Sequence, residues 1–298
     1  MRVAYLGPAG TYSHEALLSS ADALAGPNVE AIPEATIHEV VMAVQHGESD
    51  RGVVPIENSL EGSVNATLDA LAFDAPAVQI VGETVLSIHH CLIGRAGLAL
   101  DAVEVVLSHP QALGQCAGFV RTRMPGATVR SETSTAEAVR AVASADRAWA
   151  ALGPRTAAAR YGGTVLVENV EDVAGNETRF AWLAREDGRG GRSRPEAGHQ
   201  TQAEPSVDAQ HRAFKTAVAF WPRESDHAGW LVDCLAEFSR RGVNMTRIES
   251  RPRKVGLGEY VFFVDVEGAA TDAAVAAALA GVETHVAQLR LLGSFPSA

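Results

Sequence analysis

Residues 176–180 read Asn-Glu-Thr-Arg-Phe, placing an amide, a carboxylate, a hydroxyl, a guanidinium and an aromatic ring directly ahead of the apolar run Ala-Trp-Leu-Ala. Such a stretch is either a polar turn at the start of a strand, where Asn, Glu and Thr are common, or a site. If residues 178–183 are extended, Thr178, Phe180 and Trp182 share one face and Arg179, Ala181 and Leu183 the other. A hydroxyl and a ring then lie side by side, with Thr178 set to donate a hydrogen bond to a substrate oxygen and Phe180 to cover an apolar ring. Glu177 is the expected neutralising neighbour of Arg179.

Other polar residues gather where apolar runs give way to helical patterns. The stretches are GPAGTYSHEA, ENSLEGSVNATLDAL, SHPQALGQC, TSTAEAVRAVA and GPRTAAARYG. Taken singly, each has a structural explanation. Ser63, Ser108 and Ser134 suit N-caps worth about 1 kcal/mol each, with Ser134 and Glu137 spaced as a capping box. His14 and His109 are lone histidines beside helix starts, and Asn58 suits an Asx-turn. In a parallel sheet these turns meet at one edge, where helix N-termini bind anions without basic side chains. Together they predict a pocket for a small carboxylate.

The elements that must hold such a pocket follow from composition and pattern. The chain has 298 residues, 47% hydrophobic and 20% charged, enough for two or three globular domains. A formal net charge of -11 disfavours nucleic acid and anionic membranes as partners. Cys91, Cys116 and Cys234 are scattered, and His89 and His90 are adjacent rather than a helical turn apart, so neither a disulfide framework nor a metal site is expected. MRVAYLGPAG reaches a Gly-Pro turn after one short apolar run, and no later stretch approaches a membrane span, so a cytoplasmic protein is expected. Up to residue 185, β-branched runs (Val3–Leu6, Gly52–Ile56, Val103–Leu107, Ala148–Leu152, Thr178–Ala184) alternate with Ala-rich stretches, the pattern of βα units around a largely parallel sheet. Residues 186–212 are rich in Gly, Pro and charge and read as a mobile linker. Residues 213–298 read as strand, helix, strand, strand, helix (Asp272–Ala280) and strand, a small βαββαβ domain.

These motifs carry a resemblance. GPAGTYSHEA, VVPIENSLEGSVNATLDAL, SHPQALGQC, STAEAV, GNETRF and IESRPRK occur in the order found in monofunctional prephenate dehydratases with a C-terminal ACT domain. The resemblance spans nearly the whole chain except the linker. It implies an α/β catalytic domain of two lobes, like the type II periplasmic-binding-protein fold, over residues 1–185, and a ferredoxin-like ACT regulatory domain over 213–298. The implied reaction turns prephenate into phenylpyruvate with loss of CO2 and water, without metal or cofactor, and is regulated by L-phenylalanine. Thr178, Arg179 and Phe180 are the implied catalytic residues, with Arg179 helping to hold carboxylate charge. Asn58, Ser59, Ser108, His109, Gln111, Ser134, Thr135 and Asn176 are the implied substrate contacts. Gly229, Leu231, Asn244, Glu249, Ser250, Arg251 and Pro252 are the implied effector contacts, at an interface of a homodimer or homotetramer. Arogenate dehydratase and a non-catalytic small-carboxylate sensor are the alternatives. One departure stands out: the family's Pro-Gly-Ala-Leu appears here with Ala228 for Pro and Trp230 for Ala. Trp230 is expected either to turn outward against a neighbouring subunit or to narrow the effector pocket.

Overall fold

A computed structural model describes residues 1–186, 213–223 and 227–298. Apart from Glu186, the expected linker lies outside the described residues. In chain order, β1 (Arg2–Leu6), α1 (Tyr12–Leu24), β2 (Glu30–Glu34), α2 (Ile37–Gln45), β3 (Arg51–Asn58), β4 (Gly62–Ser63), α3 (Asn65–Asp69) and β5 (Val78–Ser87) come first. Then follow β6 (Cys91–Gly94), β7 (Val105–Ser108), α4 (Pro110–Gln115), α5 (Ala117–Arg123), β8 (Thr128–Ser131), α6 (Thr135–Ala143), β9 (Trp149–Gly153), α7 (Arg155–Tyr161), β10 (Thr164–Val167) and β11 (Glu177–Arg185). The last six elements are β12 (Phe214–Trp221), α8 (Trp230–Ser239), β13 (Met245–Pro252), β14 (Tyr260–Glu267), α9 (Ala273–His285) and β15 (Gln288–Pro296).

The strands build three sheets, ordered β2-β1-β3-β11-β5, with β4 on β3, then β10-β6-β9-β7-β8, and β13-β14-β12-β15. The chain leaves the first sheet after β5, builds the second, and returns as β11 between β3 and β5. This is the expected two-lobed plan. The expectation of a largely parallel sheet needs correction, because β6 pairs antiparallel with β9, and β10 with β6. Strand β6, reached from the first sheet across residues 88–90, runs against β7, β8 and β9, which are parallel to one another.

Two compact units result, one of Met1–Val40, Val53–Val64 and Thr84–Phe180, the other of Val41–Gly52, Asn65–Glu83 and Ala181–Ala298. In the first, neighbouring residues of the second sheet feed opposite cores. Ile93, Leu107 and Ala151 pack with Val139 of α6 and Ala157 of α7, while Leu92, Val106 and Leu152 pack with Val120 of α5. Both faces are covered, which explains strands of continuous apolar residues.

In the second unit, α8 and α9 cover one face of the third sheet, burying Val218, Phe220, Val264 and Val266 against Cys234, Phe238, Val275 and Val282. Helix α9 runs beyond the expected end at Ala280 because Val282 continues its buried stripe of Val275 and Ala278. The sheet is also tied to residues 65–83. Arg251 donates two hydrogen bonds to the Asp69 carboxylate, at 3.2 and 3.0 Å, and Lys254 adds an ion pair at 2.8 Å. Arg290 donates to the carbonyls of Ala72 and Ala75, and Lys215 pairs with the buried Glu83 at 2.7 Å. A side chain at Gly293 would collide with the backbone of Ile80.

Trp230 lies in the chain's own core, 6% exposed, with its ring centroid 5.4 Å from that of Phe262 and 6.2 Å from that of Phe220. The expectation that it turns outward against another subunit is therefore corrected: as the first residue of α8, it points down into the helix–sheet interface. Trp230→Ala should empty that space and cost the second unit about 3–5 kcal/mol. Denaturant unfolding would measure this, and an unchanged midpoint would overturn the assignment.

Candidate active site

The first unit holds a cleft of about 380 Å³. Three helix starts open onto it, contributed by Thr11–Ser13, His109–Gln111 and Thr133–Thr135. Each is capped. Thr11 Oγ1 accepts from the N–H of His14 at 3.3 Å, His109 Nδ1 from that of Gln111 at 3.3 Å, and Ser134 Oγ from that of Glu137 at 3.0 Å. No Asp, Glu, Lys or Arg stands among the described residues lining the cleft. Its positive potential therefore comes from helix N-termini and amide N–H groups.

Thr178 enters the cleft from the start of β11. The turn before it is set by Gly175, whose φ of 77° favours glycine. The backbone of Asn176 and Glu177 is then gripped on both sides, by Ile88 N–H to Asn176 O at 2.8 Å and Ser59 N–H to Glu177 O at 2.9 Å. Asn58, at the end of β3, sets the polarity. Its Oδ1 accepts the backbone N–H groups of Leu60 and Glu61, both at 3.0 Å, so its Nδ2 must face the other way. That amide nitrogen faces three acceptors, Asn176 Oδ1 at 2.7 Å, Thr178 Oγ1 at 2.9 Å and Glu177 O at 3.1 Å. Thr178 is thus the acceptor of this bond and keeps its own proton for another partner.

The sequence-derived residues divide into groups. Asn58, His109, Gln111, Ser134, Thr135, Asn176, Thr178 and Phe180 meet at the cleft. Ser59 stands behind it, accepting the N–H of Glu177 at 2.9 Å. Ser108 is fully buried and donates to Leu152 O at 2.6 Å, so it is not the cap of α4, because β7 runs one residue further than expected and the cap passes to His109. Ser63 lies in β4, paired with Glu57, rather than beginning a helix. Arg179 points to the opposite face of β11, away from the cleft lining. Its partner is Glu57 on the adjacent strand, at 2.9 Å, not Glu177. Among the cleft residues that escaped the sequence reading are Tyr12, His90 and Gln115. Gln115 was legible, four residues after Gln111 on one face of α4. His90 offered only its adjacency to His89.

The expected effector residues lie in the second unit. Gly229 adopts φ 96° just before α8, and Leu231 packs against the core. Asn244 is exposed, as are Ser250 and Pro252 on β13, whereas Glu249 and Arg251 are half-buried.

A family model described as prephenate dehydratase matches residues 3–188, and one described as ACT domain matches residues 225–284. The chain belongs to the prephenate dehydratase family. A prephenate dehydratase of Methanocaldococcus jannaschii is 35% identical, over 99% of this chain and 97% of that protein. Arogenate dehydratase 5, chloroplastic, of Arabidopsis thaliana is also 35% identical, over 99% of this chain and 67% of its own length. The crystal structure of a prephenate dehydratase from Arthrobacter aurescens in complex with L-Phe superposes with a TM-score of 0.82 at 34% identity, covering 99% of this chain and 90% of that one. A structure described as a quorum quenching acylase superposes with a TM-score of 0.80 at 28% identity, covering 100% and 98%.

In this family member, burial keeps ionisable groups in and beside the cleft neutral. It lowers the pKa of His14, His90 and His109 and raises that of the Tyr12 phenol well above its ordinary value. Burial, with Asp172 and Glu171 nearby, pushes the Cys116 thiol up to about 12. Below the ordinary histidine value of 6.5 the unfolded chain binds more protons than the folded one, so stability should fall as pH drops through that window. Above the ordinary thiol value of 9.0 the unfolded Cys116 loses its proton first, so stability should fall again. Melting temperature against pH should therefore peak between these values. A curve flat from about pH 7 to about pH 5 would count against buried neutral histidines.

Proposed function

We propose that this protein converts prephenate to phenylpyruvate, CO2 and water through residues 1–185, and that L-phenylalanine regulates it through residues 213–298. The observation that carries the reaction is the polarity of the Asn58–Thr178 bond, which leaves the Thr178 proton free in an uncharged cleft. The ring carboxylate departs as CO2, its bonding pair enters the ring, and the ring hydroxyl leaves with its bonding electrons and one proton as water. Thr178 donates to that departing oxygen as charge develops on it, and general-acid help of this kind is worth about 10²–10⁴-fold. The helix starts at Thr11, His109 and Ser134 receive the side-chain carboxylate. Ile37, Ile88 and Phe180 give the cleft an apolar wall, against which the ring carboxylate is held loosely enough to leave. Aromatisation supplies the driving force, so no cofactor enters the scheme.

Arogenate differs by an ammonium group in place of the keto oxygen. No carboxylate stands among the described lining residues to meet that ammonium, which favours prephenate. Acyl transfer would need an activated nucleophile. Among the described cleft residues no serine, threonine or cysteine hydrogen-bonds a histidine ring. Thr178→Ala should lower kcat on prephenate by about 10²-fold or more with little change in KM. Phenylpyruvate formation would be followed with prephenate and arogenate in parallel. Near-normal turnover by a folded variant would remove Thr178 from the chemistry.

The assembly is read as a homodimer, or a tetramer made of two. Strand β13, which carries Glu249–Pro252, is an outer strand of its sheet with Ile248 49% exposed. An open edge with apolar side chains favours pairing. The three cysteines are buried and form no disulfide among the described residues, in keeping with a cytoplasmic location, and no described helix is long and apolar enough to cross a membrane. Light scattering at micromolar concentration, with and without phenylalanine, should give at least a dimer, and Ile248→Asp should shift it toward monomer. A monomeric wild-type protein in both conditions would sink this reading.

A further inference from the structure

His90 is buried beside the cleft and has no part in the scheme above. Its Nδ1 lies 2.8 Å from the Tyr12 hydroxyl and its Nε2 lies 3.0 Å from Gln115 Oε1. Gln115 Oε1 is also 3.1 Å from Asn176 Nδ2, so an unbroken chain of side chains runs from Tyr12 through His90, Gln115, Asn176 and Asn58 to Thr178.

The direction of each bond in this chain is determined. Asn58 Oδ1 is committed to two backbone N–H groups, so Nδ2 donates to Asn176 Oδ1. Asn176 must then turn its Nδ2 to Gln115 Oε1, which makes that oxygen an acceptor, while Gln115 Nε2 points toward Glu61 at 3.4 Å. A nitrogen facing an acceptor has to carry the hydrogen, so His90 is protonated on Nε2. Burial keeps the ring neutral, which leaves Nδ1 bare. The Tyr12 hydroxyl, 2.8 Å from both Nδ1 and the carbonyl of His89, directs its single proton at these two acceptors. The backbone N–H of His90 donates to Glu171 at 2.9 Å and fixes the ring's anchor.

We propose that His90 is a positioning residue for the reaction: as the Nε2–H tautomer that Gln115 Oε1 requires, it orients Gln115 and, through the Asn176 and Asn58 amides, aims the hydroxyl of Thr178. The kinetic part of this inference rests on the dehydratase reading, while the tautomer does not. Two substitutions separate positioning from packing. Gln can place an N–H near the position of Nε2 and keep the bond to Gln115. Asn reaches only the position of Nδ1 and loses that bond.

His90→Gln should retain kcat within about fivefold, whereas His90→Asn should lose about ten- to a hundredfold in kcat with KM within about twofold, the pattern of a misaimed catalytic group. Equal kcat values in the two variants, or an effect confined to KM, would overturn the proposal. Nitrogen-15 NMR of the imidazoles in the wild-type protein supplies a readout independent of turnover and of whether either variant folds. It should show His90 with a protonated Nε2 and a bare Nδ1 at neutral pH. The opposite tautomer or an imidazolium there would overturn the inference. Wild-type protein inactive on prephenate would instead refute the dehydratase reading, with the spectrum still deciding the tautomer.

Discussion

The chemistry of the cleft depends on which way one amide faces. The two backbone N–H groups of Leu60 and Glu61 hold Asn58 Oδ1, and that commitment makes the other end of the side chain a donor. A reversed amide would present an oxygen to Thr178, take the threonine proton for itself and leave a hydroxyl able only to accept. Reversal would set the amide N–H groups against those two N–H donors and its oxygen against Asn176 Oδ1 and Glu177 O, both acceptors, which keeps the amide from reversing. A turn of four residues therefore decides whether the threonine hydroxyl keeps a proton to donate.

The second constraint is the absence of ionised side chains from the described lining. A dianion bound by lysine and arginine would be held as tightly before reaction as during it, and uniform binding does not accelerate chemistry. Under the proposed reaction, partial charges at helix starts would hold the carboxylate that stays and give less to the one that leaves. The guanidinium of Arg179 shows how the chain keeps full charge out: strand alternation turns it to the far face, and Glu57 occupies it.

Local pattern revealed much of this. Period-two alternation in β11 correctly put Thr178 with Phe180 and apart from Arg179, the strand and helix pattern of residues 213–298 gave the βαββαβ plan, and the order of the motifs gave the two lobes. What failed were inferences needing a partner distant in sequence. Glu57 is over a hundred residues from Arg179, and nothing near either one names the other. Ser108 looked like a cap because a serine before His-Pro usually is one; its actual acceptor, Leu152 O, becomes its neighbour only when β7 and β9 pair. Strand β6 runs against its neighbour β9, and apolar content carries no sign of direction. Trp230 was judged by the residue it replaces, when its place was decided by Phe220 and Phe262, on strands before and after it.

Strand β13 has the same alternation, with a different result. Ser250 and Pro252 face outward, while Glu249 and Arg251, their immediate neighbours, face back into the chain. Arg251 is fastened to Asp69 at the end of the helix that follows the Asn58 turn and β4 in sequence. Successive side chains of an extended strand hang from one backbone on opposite faces. Any displacement of that backbone would therefore carry the outer row and the inner row together, with no loop between the two to absorb the motion.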